Sequence, residues 1–70
     1  MVEVFKTNIE ETFQSKIVAA ILEAHFPGYK VNFDLDDCDR ILRIEAAEIN
    51  QSSIKTVLNE RGYICEVLPD

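Results

Sequence analysis

This chain is predicted to form an α+β sandwich, with a four-stranded antiparallel sheet carrying two helices on one face. Three observations predict it. Short stretches alternate apolar and polar residues with the period of a strand. Two further stretches space their apolar residues as one face of a helix. Each helical stretch then runs into a glycine, Gly28 or Gly62, of the kind that stops a helix. The 70 residues make one domain, 1–70. A domain of that size buries roughly 60% of its unfolded surface, so its core is modest.

The elements follow in order. Val2 to Lys6 alternates and reads as a strand with Val2 and Val4 on one face. Helix-start signals come next: Thr7 with Glu10, or Asn8 with Glu11, has capping-box spacing. Ile9, Phe13, Ile17, Ala20, Ile21 and Ala24 then fall on one helical stripe, which predicts a helix over 9–25 with Phe13 plugging the end of the core. Phe26-Pro27-Gly28 ends it, because proline disfavours helical geometry in the residue before it.

Tyr29, Val31, Phe33 and Leu35 alternate strictly with Lys30, Asn32, Asp34 and Asp36, the clearest strand in the chain. Asp36-Asp37-Cys38-Asp39 is a polar turn, and Arg40 to Ala46 is the returning strand, with Leu42 and Ile44 on one face. Asn50 caps a second helix whose stripe is Ile54, Val57 and Leu58, and Arg61-Gly62 stops it. Tyr63 to Leu68 is the last strand, with Tyr63, Cys65 and Val67 on one face. Strand, helix, strand, strand, helix, strand is the split βαβ, ferredoxin-like arrangement. The expected sheet order is 4-1-3-2.

Composition excludes several function classes. The net charge is −6, and the seven Lys and Arg are spread over the whole length. Nucleic acid and anionic membrane surfaces both need a clustered basic face, so neither is an expected partner. A basic protein partner is compatible with the charge. No apolar run approaches the ~20 residues of a membrane span. Met1-Val2-Glu3-Val4 has neither the basic region nor the apolar run of a signal peptide, so a cytoplasmic setting is expected. Cys38 and Cys65 are expected as free thiols there.

The stretch from Phe5 to Ile17, a strand end, a short loop and a helix start, resembles the metal-binding loop of the heavy-metal-associated domain family. These are small copper-chaperone-like domains. The likeness extends over nearly the whole chain and includes the Gly62-Tyr63 pair before the last strand. It implies the same ferredoxin-like fold. It also implies a loop in which two cysteines, three residues apart, grip a soft monovalent ion. Here those positions hold Glu10 and Phe13, so this is a degenerate member and no metal is expected there. Glu10 or Glu11 then serves the helix start, where an acid suits the helix dipole.

The topology predicts one end of the molecule that gathers Glu10, Glu11, Asp36, Asp37, Cys38, Asp39 and Tyr63. Two uses are open to it: docking a basic protein, or holding a metal weakly through replacement ligands among Glu10, Glu11, Asp36, Asp37, Cys38 and Asp39. Asp34 to Glu45 mimics a twelve-residue calcium loop, but Asp39 stands where that loop needs glycine, and strands flank it. The aspartates around Cys38 disfavour its thiolate, so it is no activated nucleophile. His25, the only histidine, lies at the opposite end. With no convergent polar site and no glycine-rich phosphate loop, we expect no catalytic residue, no cofactor and no enzyme. The edge strands, two and four, allow a monomer or a weak edge-strand dimer. The function expected is that of a non-enzymatic, metallochaperone-like interaction module; the alternative is a metal-binding or metal-transport protein using replacement ligands.

Overall fold

In the structure, a computed structural model that describes residues 1–69, the elements run β1 (Val2–Thr7), α1 (Thr12–His25), β2 (Lys30–Asp34), β3 (Ile41–Glu45), α2 (Gln51–Glu60) and β4 (Cys65–Leu68). They form one antiparallel sheet in the order β2-β3-β1-β4, the order expected. The fold is α+β and ferredoxin-like. No helix among the described residues is long and apolar enough to cross a membrane.

Strand alternation sets the two faces of the sheet. Phe5 on β1 stands opposite Leu42 on β3 and Val67 on β4. Phe5 and Leu42 are fully buried, and Ile44, Ile54, Leu58, Val18, Leu22 and Ile9 complete the core with Cys65. Val2 and Val4 do share a face, but it is the other one, and Val2 remains 40% exposed.

The first helix departs from the sequence reading in start and in phase. It begins at Thr12 and not at residue 9, with Glu11 as its cap residue. The Glu11 N–H donates to Gln14 Oε1 at 3.3 Å, and the Glu11 carbonyl accepts from Ser15 N–H at 3.1 Å. Neither expected capping box forms, because Thr7 and Asn8 spend their side chains elsewhere. Ile9 is buried by the loop before the helix, so it sets no helical phase. The buried face of α1 is Ser15, Val18 and Leu22. Phe13 is 63% exposed and Ile17 48% exposed, so Phe13 plugs nothing. Helix α1 carries two apolar stripes, and once Ile9 is removed the Val18–Leu22 stripe is the one that meets the sheet.

Helix α2 follows its sequence signals. Asn50 Oδ1 accepts the Ser53 N–H at 3.0 Å, as an N-cap should. At the other end Gly62 has φ +87°, Tyr63 N–H donates to Leu58 O at 3.0 Å and Gly62 N–H to Asn59 O at 3.0 Å. That pair of bonds is a Schellman stop, which requires a left-handed residue. At the end of the sheet remote from the β2–β3 turn, Tyr29 stacks on Phe26 at 4.9 Å and its hydroxyl accepts the Asn50 N–H at 3.1 Å, joining the start of β2 to the start of α2.

The phase of α1 is testable. Leu22→Ala should cost about 2–5 kcal/mol of stability in urea unfolding, as for a deleted core leucine. Phe13→Ala should stay within ~0.5 kcal/mol of the parent, as for an exposed site. The reverse ranking would return the core to the Phe13 stripe.

Candidate functional site

Three loops meet at the end of the molecule where β1 finishes. The Thr7 N–H donates to Asp39 O at 3.1 Å, and Thr7 Oγ1 donates to Arg40 O at 2.6 Å while accepting the Ile9 N–H at 3.2 Å. Asn8 Oδ1 accepts the Ile64 N–H at 2.8 Å. The β1–α1 loop is thus bonded to the β2–β3 turn on one side and to the α2–β4 connection on the other. Between them these loops carry Glu10, Glu11, Asp36, Asp37, Cys38, Asp39 and Tyr63.

Their placements differ. Glu10 and Glu11 are exposed at the start of α1, and Phe13 is exposed in its first turn. Asp36 is exposed and lines an open groove with Thr12, Ser15, Phe33, Asp34 and Leu35. The potential ligand atoms of Asp37, Cys38 and Asp39 lie within 4.8 Å of one another, a group that does not include Glu10, Glu11 or Asp36.

Two of the three already have other work. Asp37 Oδ1 accepts the Asp39 N–H at 2.8 Å, and Asp37 O accepts the Arg40 N–H at 3.0 Å, which closes the turn in the way aspartate commonly does. Arg40 sits at φ +48° and sends Nη1 to Leu35 O at 2.6 Å, holding both arms of the turn. Asp39 Oδ1 is 3.8 Å from Lys6 Nζ, an exposed pair of little energetic weight.

The donor chemistry decides what this end suits. A soft monovalent ion prefers thiolate ligands, and positions 10 and 13 offer a carboxylate and a hydrocarbon ring. They do not fit it. Cys38 is an exposed free thiol in the turn. Cys65 is buried on β4 opposite Thr7, outside the group that Cys38 forms with Asp37 and Asp39. Burial pushes its thiol up from 9.0 to about 11, with Lys55 pulling weakly the other way and Glu66 adding to the rise. A thiol so placed is a packing group and a poor nucleophile. His25 lies at the far end of α1, in a groove lined by Ile21, Val57, Glu60 and Arg61, outside the Asp37–Cys38–Asp39 group.

Sequence reading missed Thr7 and Arg40 as organisers of this end. A threonine closing a strand gives no signal that its hydroxyl will reach across two loops. Arginine gives no signal of a left-handed conformation. No family model, curated protein or solved structure matches the chain.

Two measurements check this account. Thr7→Val keeps the shape but strands the Arg40 carbonyl and the Ile9 N–H, and should cost about 1–3 kcal/mol in urea unfolding; a neutral result would dissolve the role given to the hydroxyl. Cys65 binds its proton more tightly folded than unfolded. Its contribution is therefore complete below pH ~9 and is lost as pH rises toward ~11, on the order of 2–3 kcal/mol. The alkaline fall in stability should be shallower in Cys65→Ala than in the parent, and equal slopes would contradict the assignment.

Proposed function

We propose that this chain is a non-enzymatic, metallochaperone-like domain that has lost its soft-metal site and serves as a protein-interaction module. The observation that carries the reading is Phe13. It occupies the position of the second cysteine in the heavy-metal-associated loop that this sequence resembles, and it stands 63% exposed. Ile17, 48% exposed, follows one turn later on the same face of α1. Exposed aromatic and branched side chains grouped on one face are typical anchors of protein contacts. Glu10 and Glu11 stand beside them at the helix start. Such a surface complements a partner with an apolar pocket and a basic rim. A reducing, cytoplasmic setting suits the two free thiols.

A second reading has one observation in its favour, the proximity of Asp37, Cys38 and Asp39 within 4.8 Å. It makes the chain a metal-binding protein with replacement ligands in the β2–β3 turn, Asp37, Cys38 and Asp39, with Glu10 outside that group. One thiol and two carboxylates suit a borderline ion such as zinc better than a soft one. This reading requires zinc affinity that falls in Cys38→Ala and in Asp37→Asn.

Anaerobic titration with cuprous ion against a competing chelator tests the preferred reading. The parent should show no stoichiometric site tighter than about 1 µM, roughly −8 kcal/mol. The double substitution Glu10→Cys with Phe13→Cys should create one. A tight site in the parent would refute the loss of the metal site, and no site in the double variant would refute the likeness of the loop.

A further inference from the structure

The sheet has a second face, which no helix among the described residues covers. Strand alternation places on it Val2, Val4 and Lys6 of β1, Ile41, Arg43 and Glu45 of β3, Lys30, Asn32 and Asp34 of β2, and Glu66 and Leu68 of β4. Ile64, just before β4, follows the same alternation and is 55% exposed. Antiparallel sheets tolerate water on one face, but that face is then normally polar. Here the central strand points two valines outward. Val4 stands in register with Leu68 on β4, while its partner on β3 is Arg43 and Ile41 stands opposite Lys6, so apolar and charged side chains are interspersed on this face.

The charges on this face are arranged differently from those on the rest of the molecule. Its three bases, Lys6, Lys30 and Arg43, match its three acids, Asp34, Glu45 and Glu66. Opposite signs are direct cross-strand neighbours: Lys30 faces Glu45, and Lys6 faces Glu66. At the rim Lys6 also reaches Asp39 at 3.8 Å. The remaining described residues hold nine acids and four bases. A chain of net charge −6 repels its own copies almost everywhere except across this balanced face.

We propose that two copies of this chain associate through their open sheet faces about a two-fold axis. The motif is isologous: the Val2–Val4–Leu68 strip of one copy packs on that of the other, and the interspersed bases of each copy meet acids of its partner. The two helix layers then lie outermost, leaving Phe13 and the acidic loops on both outer surfaces. A basic partner prefers those acidic surfaces, and an acidic partner finds no net positive charge on the open face, so a second copy is the occupant that the charge pattern favours. A four-stranded face with five-residue strands measures roughly 19 by 17 Å. That is about 320 Å² per copy, well under the roughly 800 Å² per partner of a standard stable interface, so the dimer is weak and transient.

Sedimentation equilibrium of the full chain, from about 1 µM to about 1 mM, reads the association directly. The parent should pass from monomer to dimer within that range. Arg43→Glu leaves the face with two bases and four acids and should weaken the dimer at least about tenfold. Val2→Asp, beside Glu45 on an exposed position, should do the same through the apolar strip. Phe13→Ala, on the opposite side, should change nothing, and circular dichroism confirms that each variant is folded. A parent that stays monomeric at the highest concentration overturns the proposal. So does a dimer that survives both face variants, which would place the contact at an edge strand or on α1.

Discussion

Thr7 donates its hydroxyl to the Arg40 carbonyl and takes the Ile9 N–H in return, while its own N–H reaches Asp39, and on this knot the acidic end of the molecule depends. The residue is almost fully buried. A buried hydroxyl without partners would be costly, so the two groups that satisfy it, the Arg40 carbonyl and the Ile9 N–H, are held where it needs them. The β1–α1 loop and the β2–β3 turn are far apart in sequence, and this residue is where they become one surface. Asn8 extends the same knot to the α2–β4 connection through Ile64.

The knot also explains why α1 turns as it does. With Thr7 and Asn8 bonded across the loops, neither is free to cap the helix, and Ile9 is drawn inward beneath them. The helix starts later, at Thr12, and lays Val18 and Leu22 on the sheet. Phe13 and Ile17 are left on its outer side. An apolar stripe that a folding core does not use is either a liability or a contact surface, and its place beside Glu10 and Glu11 favours the second. The same logic applies below the sheet, where Val2, Val4 and Leu68 lie among balanced charges.

The acids of the β2–β3 turn are less free than their number suggests. Asp37 closes the turn, Asp39 leans toward Lys6, and Arg40 ties the arms through Leu35. The Asp37 carboxylate is engaged in holding the loop's shape. Of the two thiols, one is exposed within this turn and the other is buried in the core between sheet and helices with its proton held more firmly than usual. The chemistry of this end therefore supports recognition of a charged surface better than the gripping of a soft ion.

Much of the fold was legible in the sequence because local patterns were unambiguous. Tyr29 to Leu35 alternates without a break, Asn50 and Gly62 bracket α2, and the element order leaves few sheet topologies. The identity of positions 10 and 13, and with it the want of a thiol pair, also needed no coordinates. Tertiary structure alone decided which of two apolar stripes α1 would bury, because periodicity gives a face but not its orientation, and a residue such as Ile9 can be buried without being helical. It alone decided which face of β1 meets the helices, since Val2–Val4 and Phe5–Thr7 alternate equally well. It alone showed that Thr7 and Arg40 organise the acidic end, because hydrogen bonds between residues more than thirty apart leave no trace in local spacing.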